Sequence, residues 1–211
     1  MASHGGSVTP DTFYCGMNTR IITRFIKLRY VDVRETIQNY FEKTKKYPNY
    51  YSNEDFSSIC DDIKKEIDKG VFLVKRKNET DLSVFEEKYG YTLPTEINDY
   101  INLFWHPCIR GYCNTKESIV LFSVLKNEGD SSDDILFYKN SLISMAKDWE
   151  EMGDIKKFIP IGWLGYSGGY VLYETSSHNI FLENMDIDGE VEDKPIANSL
   201  KGLINNMNVV M

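Results

Sequence analysis

The sequence predicts an α+β fold: one domain with an antiparallel or mixed sheet flanked by helices. Three observations lead there. Apolar residues at helical spacing dominate residues 35–104, whereas alternating or continuous apolar runs dominate residues 118–192. The later runs are joined by tight turns, as antiparallel neighbours require. The 211 residues are 42% apolar and include 14 Tyr and 11 Phe, which suffices for a core and is too aromatic for a disordered chain.

The elements follow in order. Residues 1–19 are small and polar and read as a disordered leader or a remnant of cloning, with Met17 an alternative start. Residues 20–35 read as an N-terminal extension and 36–211 as the domain. Within the extension, Ile26 to Tyr30 alternates like a strand packing on the domain, although Arg20–Arg34 is basic enough for an amphipathic segment on anionic lipid. Glu35 to Lys46 reads as a helix with Ile37, Tyr40 and Phe41 on one side, ended by Pro48. A second helix starts at Ser52 or Asn53, runs through Phe56, Ile59, Cys60, Ile63 and Ile67, and closes at Gly70. Val71 to Val74 is a short strand. Leu82, Phe85 and Tyr89 define a helix stopped by Gly90. Pro94 starts the next, whose apolar face is Ile97, Tyr100, Ile101 and Phe104.

From Ser118 to Leu125 the chain reads as a buried strand. Asp130 to Asp134 then cap a helix to about Met152, with Leu142, Met145 and Trp149 inward. Phe158–Trp163 and Gly169–Glu174 are extended. Asn179–Glu183 and Glu190–Glu192 flank a hairpin turn at Asp188-Gly189. Pro195 opens a last helix through Ala197, Leu200, Leu203 and Ile204.

Charge is unevenly placed. Residues 1–110 hold 16 basic and 16 acidic side chains, residues 111–211 hold 8 and 16, so the second half carries the whole net charge of −8. Such a half repels phosphate backbones and attracts basic proteins; a merely solvated acidic surface is the plainer alternative. Three runs hold the carboxylates: Glu128, Asp130, Asp133 and Asp134; Asp148, Glu150, Glu151 and Asp154; and Glu183, Asp186, Asp188, Glu190, Glu192 and Asp193. The first suits a helix N-terminus. The second lies near a helix C-terminus, where the dipole disfavours negative charge. Trp163 and Tyr166 beside them are candidate aromatic anchors, with core packing the rival role for Trp163. The expectation is one concave acidic surface, formed where the runs converge.

Other chemistry finds little support. Cys15, Cys60, Cys108 and Cys113 are few and irregular, and no apolar signal region precedes them, so they read as reduced cytoplasmic thiols. No apolar run approaches 18 residues. Asn184, Asp186, Asp188 and Gly189 resemble half a calcium loop, but Pro195 stands where its bidentate Glu belongs. His106, Cys108 and Cys113 offer three metal-ligand types without a fourth. Gly162, Gly165, Gly168 and Gly169 lead into a strand and lack a phosphate-loop lysine. Ser176, Ser177 and His178 are adjacent, whereas triads assemble from distant segments. No catalytic residue, metal or cofactor is expected.

Five ordered segments resemble the SUKH superfamily, most of all its Syd-like branch. They are Ser83–Phe104, Ser118–Tyr138, Phe158–Glu174, Asn179–Asp193 and Pro195–Ile204, within residues 36–206. The resemblance implies that superfamily's α+β arrangement and a non-enzymatic, cytoplasmic binding role. Many similar bacterial proteins are immunity proteins that neutralise a toxin; the Syd-like branch binds the cytoplasmic side of the SecY translocon. The expected partner is therefore a protein with a basic surface, a toxin domain or translocon loops, with no direct nucleic-acid contact. The expected contact residues are Asp130, Asp133, Asp134, Asp148, Glu150, Glu151, Trp163, Tyr166, Glu183, Asp186, Glu190 and Glu192. A metal-dependent hydrolase using the acidic clusters is the rival reading from another class.

Overall fold

Ile37, Tyr40, Phe41 and Thr44 recur at three- and four-residue intervals, and in the computed structural model they form the buried face of helix α1 (Val33–Thr44). The structure describes residues 32–47, 51, 61–68, 72–125, 142–187 and 189–209. All belong to the unit Asp32–Met211. The leader, nearly all of the basic stretch Arg20–Arg34, and the carboxylates Asp130, Asp133 and Asp134 lie outside the described residues.

Helix α2 (Asp61–Asp68) buries Ile63, while its expected caps lie outside the described residues. Strand β1 is Val74–Lys75. Phe85 and Tyr89 bury the inner side of α3 (Ser83–Tyr89), which Gly90 closes. Pro94 immediately precedes α4 (Thr95–Asn102), where its missing amide hydrogen is no loss. Ile97, Tyr100 and Ile101 are its buried face. Phe104 does not extend that face. It belongs to β2 (Phe104–Trp105), antiparallel to β1, because the next residue, His106, is drawn into backbone hydrogen bonds with Val124.

The main sheet runs in chain order: β3 (Ile109–Gly111), β4 (Ile119–Leu121), β5 (Phe158–Leu164), β6 (Tyr170–Glu174) and β7 (Ile180–Leu182). Every pairing in it is antiparallel. Helix α5 (Leu142–Glu150) intervenes between β4 and β5 and buries Leu142, Met145, Ala146 and Trp149. The last helix, α6 (Leu200–Asn206), starts later than Pro195 suggests. Ser199 is its cap, its hydroxyl accepting from the Gly202 amide at 2.9 Å. Residues 196 and 197 are instead held beside β7: Ile180 N–H donates to Ala197 O, and Ile196 N–H to Ile180 O, both at 2.8 Å. A backbone already bonded to a strand edge cannot also wind into a helix.

Successive strand residues face opposite ways. Trp163 is paired with Tyr170 across β5 and β6, and Tyr170 meets Trp149 of α5 edge to face at 5.8 Å. Leu164, Val171, Tyr173 and Leu182 alternate to the other face, where Glu96 of α4 acts on the Tyr173 hydroxyl. The sheet thus separates α5 from the helical layer that contains α4. At the β5 bulge, Gly162 is required by close approach: a Cβ there would overlap Val120 O.

Both outer strands are closed. The Tyr40 hydroxyl donates to Arg110 O at 2.7 Å and accepts from Arg110 N–H at 2.9 Å, and Tyr112 exchanges both backbone bonds with Asn208. Residues 191–197 cover β7 in the same way. Such coverage removes the unpaired backbone groups through which sheets recruit further strands.

Candidate functional site: an acidic face with apolar anchors

The turn between β5 and β6 is built to project one side chain. Leu164 N–H donates to Gly169 O, and Gly168 N–H to Leu164 O, which leaves residues 165–168 as a tight loop. From the neighbouring loop the Glu117 carboxylate accepts from the amides of Tyr166 and Ser167, at 3.0 and 2.7 Å. Those bonds, Ser167 foremost, hold its carboxyl below the usual carboxylate range. Tyr166 stands on this braced turn with 94% of its surface exposed.

The β7 hairpin supplies the second part. Glu183 and Val191 bridge, Asn184 N–H donates to Glu190 O, and the Asn184 side chain accepts from Asp186 N–H. A hairpin therefore follows β7 as expected, closed at its tip by Glu190 N–H donating to Ile187 O at 3.2 Å, with Asp188 outside the described residues. Its tip seats on the turn that follows α5: Gly189 has φ +77°, and a Cβ there would fall inside contact distance of Met152 O. Met185, on the same tip, lies against Gly169 at the base of the Tyr166 turn.

These seats bring three loops together. Among the described residues five large apolar side chains are exposed, and four are here: Tyr166, Met185 at 54%, Ile187 at 50% and Met152 at 41%. The carboxylates of Asp148, Glu151, Asp186 and Glu190 are exposed on the same elements. Beside them a cleft of about 270 Å³ opens between α5 and the sheet, lined by Ser144, Met145, Asp148, Trp163, Gly168 and Tyr170. Burial, then the charges of Asp148 and Glu183, push the Tyr170 phenol above its ordinary range.

Not every expected residue joins this face. Glu183 is 91% buried by its residual 9% exposure, and its carboxylate accepts from Tyr170 N–H at 2.8 Å, so it braces β6 from within. Glu150 is exposed but bonded to Lys88 at 2.9 Å. Asp154, of the same run, caps the following turn through the Lys156 amide. Glu192 and Asp193 line a separate recess of about 520 Å³ with Lys116, Lys194, Leu164 and Leu182. Among the described residues the expected single concavity is thus two recesses, with the run Glu128–Asp134 outside them. The period of two explains it, since Trp163 and Leu164 are consecutive and serve opposite faces of the sheet.

Sequence reasoning missed Met152, Met185, Ile187 and Glu117. A signal existed for two of them: in Asn184-Met185-Asp186-Ile187-Asp188-Gly189 the apolar residues sit inside an acidic turn, where burial is out of reach. The candidate ligands His106, Cys108 and Cys113 do not converge; among the described residues no three His, Cys, Asp or Glu side chains gather as a metal site. His106 instead points its Nδ1 at Pro107 O, 2.8 Å away, within the core. Among the described residues no helix is long and apolar enough to cross a membrane.

No protein-family model, curated protein or solved structure matches the chain.

Proposed function

We propose that the protein is a non-enzymatic binding module, an immunity-type inhibitor that occludes a toxin domain with its acidic, apolar-anchored face. One observation carries the reading: four exposed apolar side chains and four exposed carboxylates lie together on the end of α5 and on three loops that are seated on one another. Exposed aromatic and methionine side chains amid charge are the composition of a protein interface, with the apolar groups supplying affinity and the carboxylates selecting a basic partner. The ordered resemblance to the SUKH superfamily supports a toxin as that partner. The Syd-like alternative shares the charge logic, with basic translocon loops in place of the toxin.

A photo-crosslinking residue at position 166 tests this, with position 205, exposed on α6, as control. In cells that carry the cognate partner, position 166 should yield an adduct with a basic toxin domain and position 205 should not. The purified chain should then abolish that toxin's activity, and Tyr166→Ala combined with Met185→Ser should weaken the pair by about tenfold or more. Equal adducts at both positions refute the face. An adduct with the translocon refutes the toxin assignment.

A further inference from the structure

We infer that the cleft between α5 and the sheet receives a single arginine side chain of the partner. The inference rests on the docking reading and specifies its central contact. Trp163 and Tyr170 lie opposite each other on β5 and β6, so their rings line one wall together. Asp148 stands across from them on α5, with Ser144 one turn earlier on the same helix face. Glu183 does not line the cleft; it lies behind Tyr170, where its carboxylate accepts from the Tyr170 amide. Among the described residues no lysine, arginine or histidine comes within 4.0 Å of the Asp148 carboxylate, so the charge that lines the cleft has no ion-pair partner. The apolar rim of Tyr166 and Met185 adjoins the opening through Gly168 and Gly169.

Two aromatic rings and one carboxylate around a cleft of about 270 Å³ select an organic cation. A guanidinium suits them better than an ammonium. It is planar, stacks on aromatic rings, and meets a carboxylate with two parallel hydrogen bonds. A bare metal ion does not fit, since one accessible carboxylate and two rings do not make an oxygen cage.

The test uses the full ¹⁵N-labelled chain at low salt, titrated with N-acetyl-arginine methylamide. Its neutral isostere, the citrulline derivative, and the lysine derivative are run alongside. The Trp163 indole N–H and the Tyr170 amide should shift saturably with the arginine probe. Citrulline should bind about tenfold more weakly or worse. Asp148→Asn should reduce arginine binding by a similar factor, while Glu151→Gln should leave it within about twofold. Absence of a saturable shift at Trp163, equal binding of citrulline, indifference to Asp148→Asn, or preference for lysine each overturns the inference. If the probe fails while position 166 still cross-links to a basic toxin, the cleft assignment falls and the docking face stands. If position 166 fails too, both fall.

Discussion

Lowering the pH should unfold this protein partly through one side chain, His106. The imidazole is fully buried, with the Tyr100 ring 4.8 Å and the Phe41 ring 5.8 Å away. Burial, aided by the positive charge of Arg76, depresses its pKa from the ordinary 6.5 to about 4. The unfolded chain therefore binds a proton at this site below about pH 6.5, and the folded chain does not until about pH 4. Between those values the unfolded state holds more protons, so stability falls as pH falls. Integrating the linkage from about pH 7.5 to about pH 4.5 gives a loss of roughly 2.5 kcal/mol. Other groups titrate in the same range, so the measurement is a difference. Urea unfolding is recorded at both pH values for the natural chain and for His106→Asn, which keeps a polar group near Pro107 O without a titrating ring. The variant should lose roughly 2.5 kcal/mol less on acidification. A side-chain NMR titration of the natural chain checks the same point, with His106 remaining neutral at pH 5. An unchanged pH dependence in the variant, or a His106 titration near 6.5, refutes the reasoning.

Two further predictions concern the framework of the face. Tyr40→Phe keeps the ring but removes the hydroxyl that serves both Arg110 N–H and Arg110 O; at about 1–3 kcal/mol per stranded group, urea unfolding should show a loss of about 2–6 kcal/mol and faster amide exchange at Arg110, and a loss below about 0.5 kcal/mol would remove the proposed closure of that edge. Gly189→Ala and Gly168→Ala form a pair at similar φ, +77° and +80°, of which only the first meets Met152. Each should cost about 1–2 kcal/mol from the left-handed backbone alone. Gly189→Ala should cost more and shift the amides of residues 151–153, and equal costs would show that the hairpin tip is not seated on α5.

Much of the fold is legible in the sequence because local rules and burial agree there. Pro94 stands immediately before α4, Gly90 closes α3, and the Trp163 and Tyr170 strands are both recovered at nearly their observed bounds. Disagreement arises where a distant backbone competes. Phe104 carries helical spacing, yet the β1 partner claims it. Pro195 carries a helix-start signal, yet Ile180 binds the segment after it. Strand β3 has no alternating pattern long enough to read, and it exists because β4 and the Tyr40 hydroxyl hold its two sides. The acidic residues are countable in the sequence, but their division between two recesses depends on strand register, which spacing alone does not set.

Closure of the five-stranded sheet's edges constrains how that sheet can recognise a partner. Strand addition needs unpaired backbone groups along an edge, and here β3 is covered by Tyr40 and Asn208 and β7 by residues 191–197. Recognition through this domain's sheet therefore falls to side chains at its ends. The end that carries Tyr166 has its loops fixed in advance: Glu117 braces one turn, Asn184 closes another, and Gly189 locks that tip onto the end of α5. Loops already ordered give up less conformational entropy on binding, so more of the contact energy of Tyr166, Met185 and Ile187 remains as affinity. Charge then acts mainly on encounter and selection. Added salt should slow association with a basic partner far more than it speeds dissociation, because the apolar anchors hold the complex once it has formed.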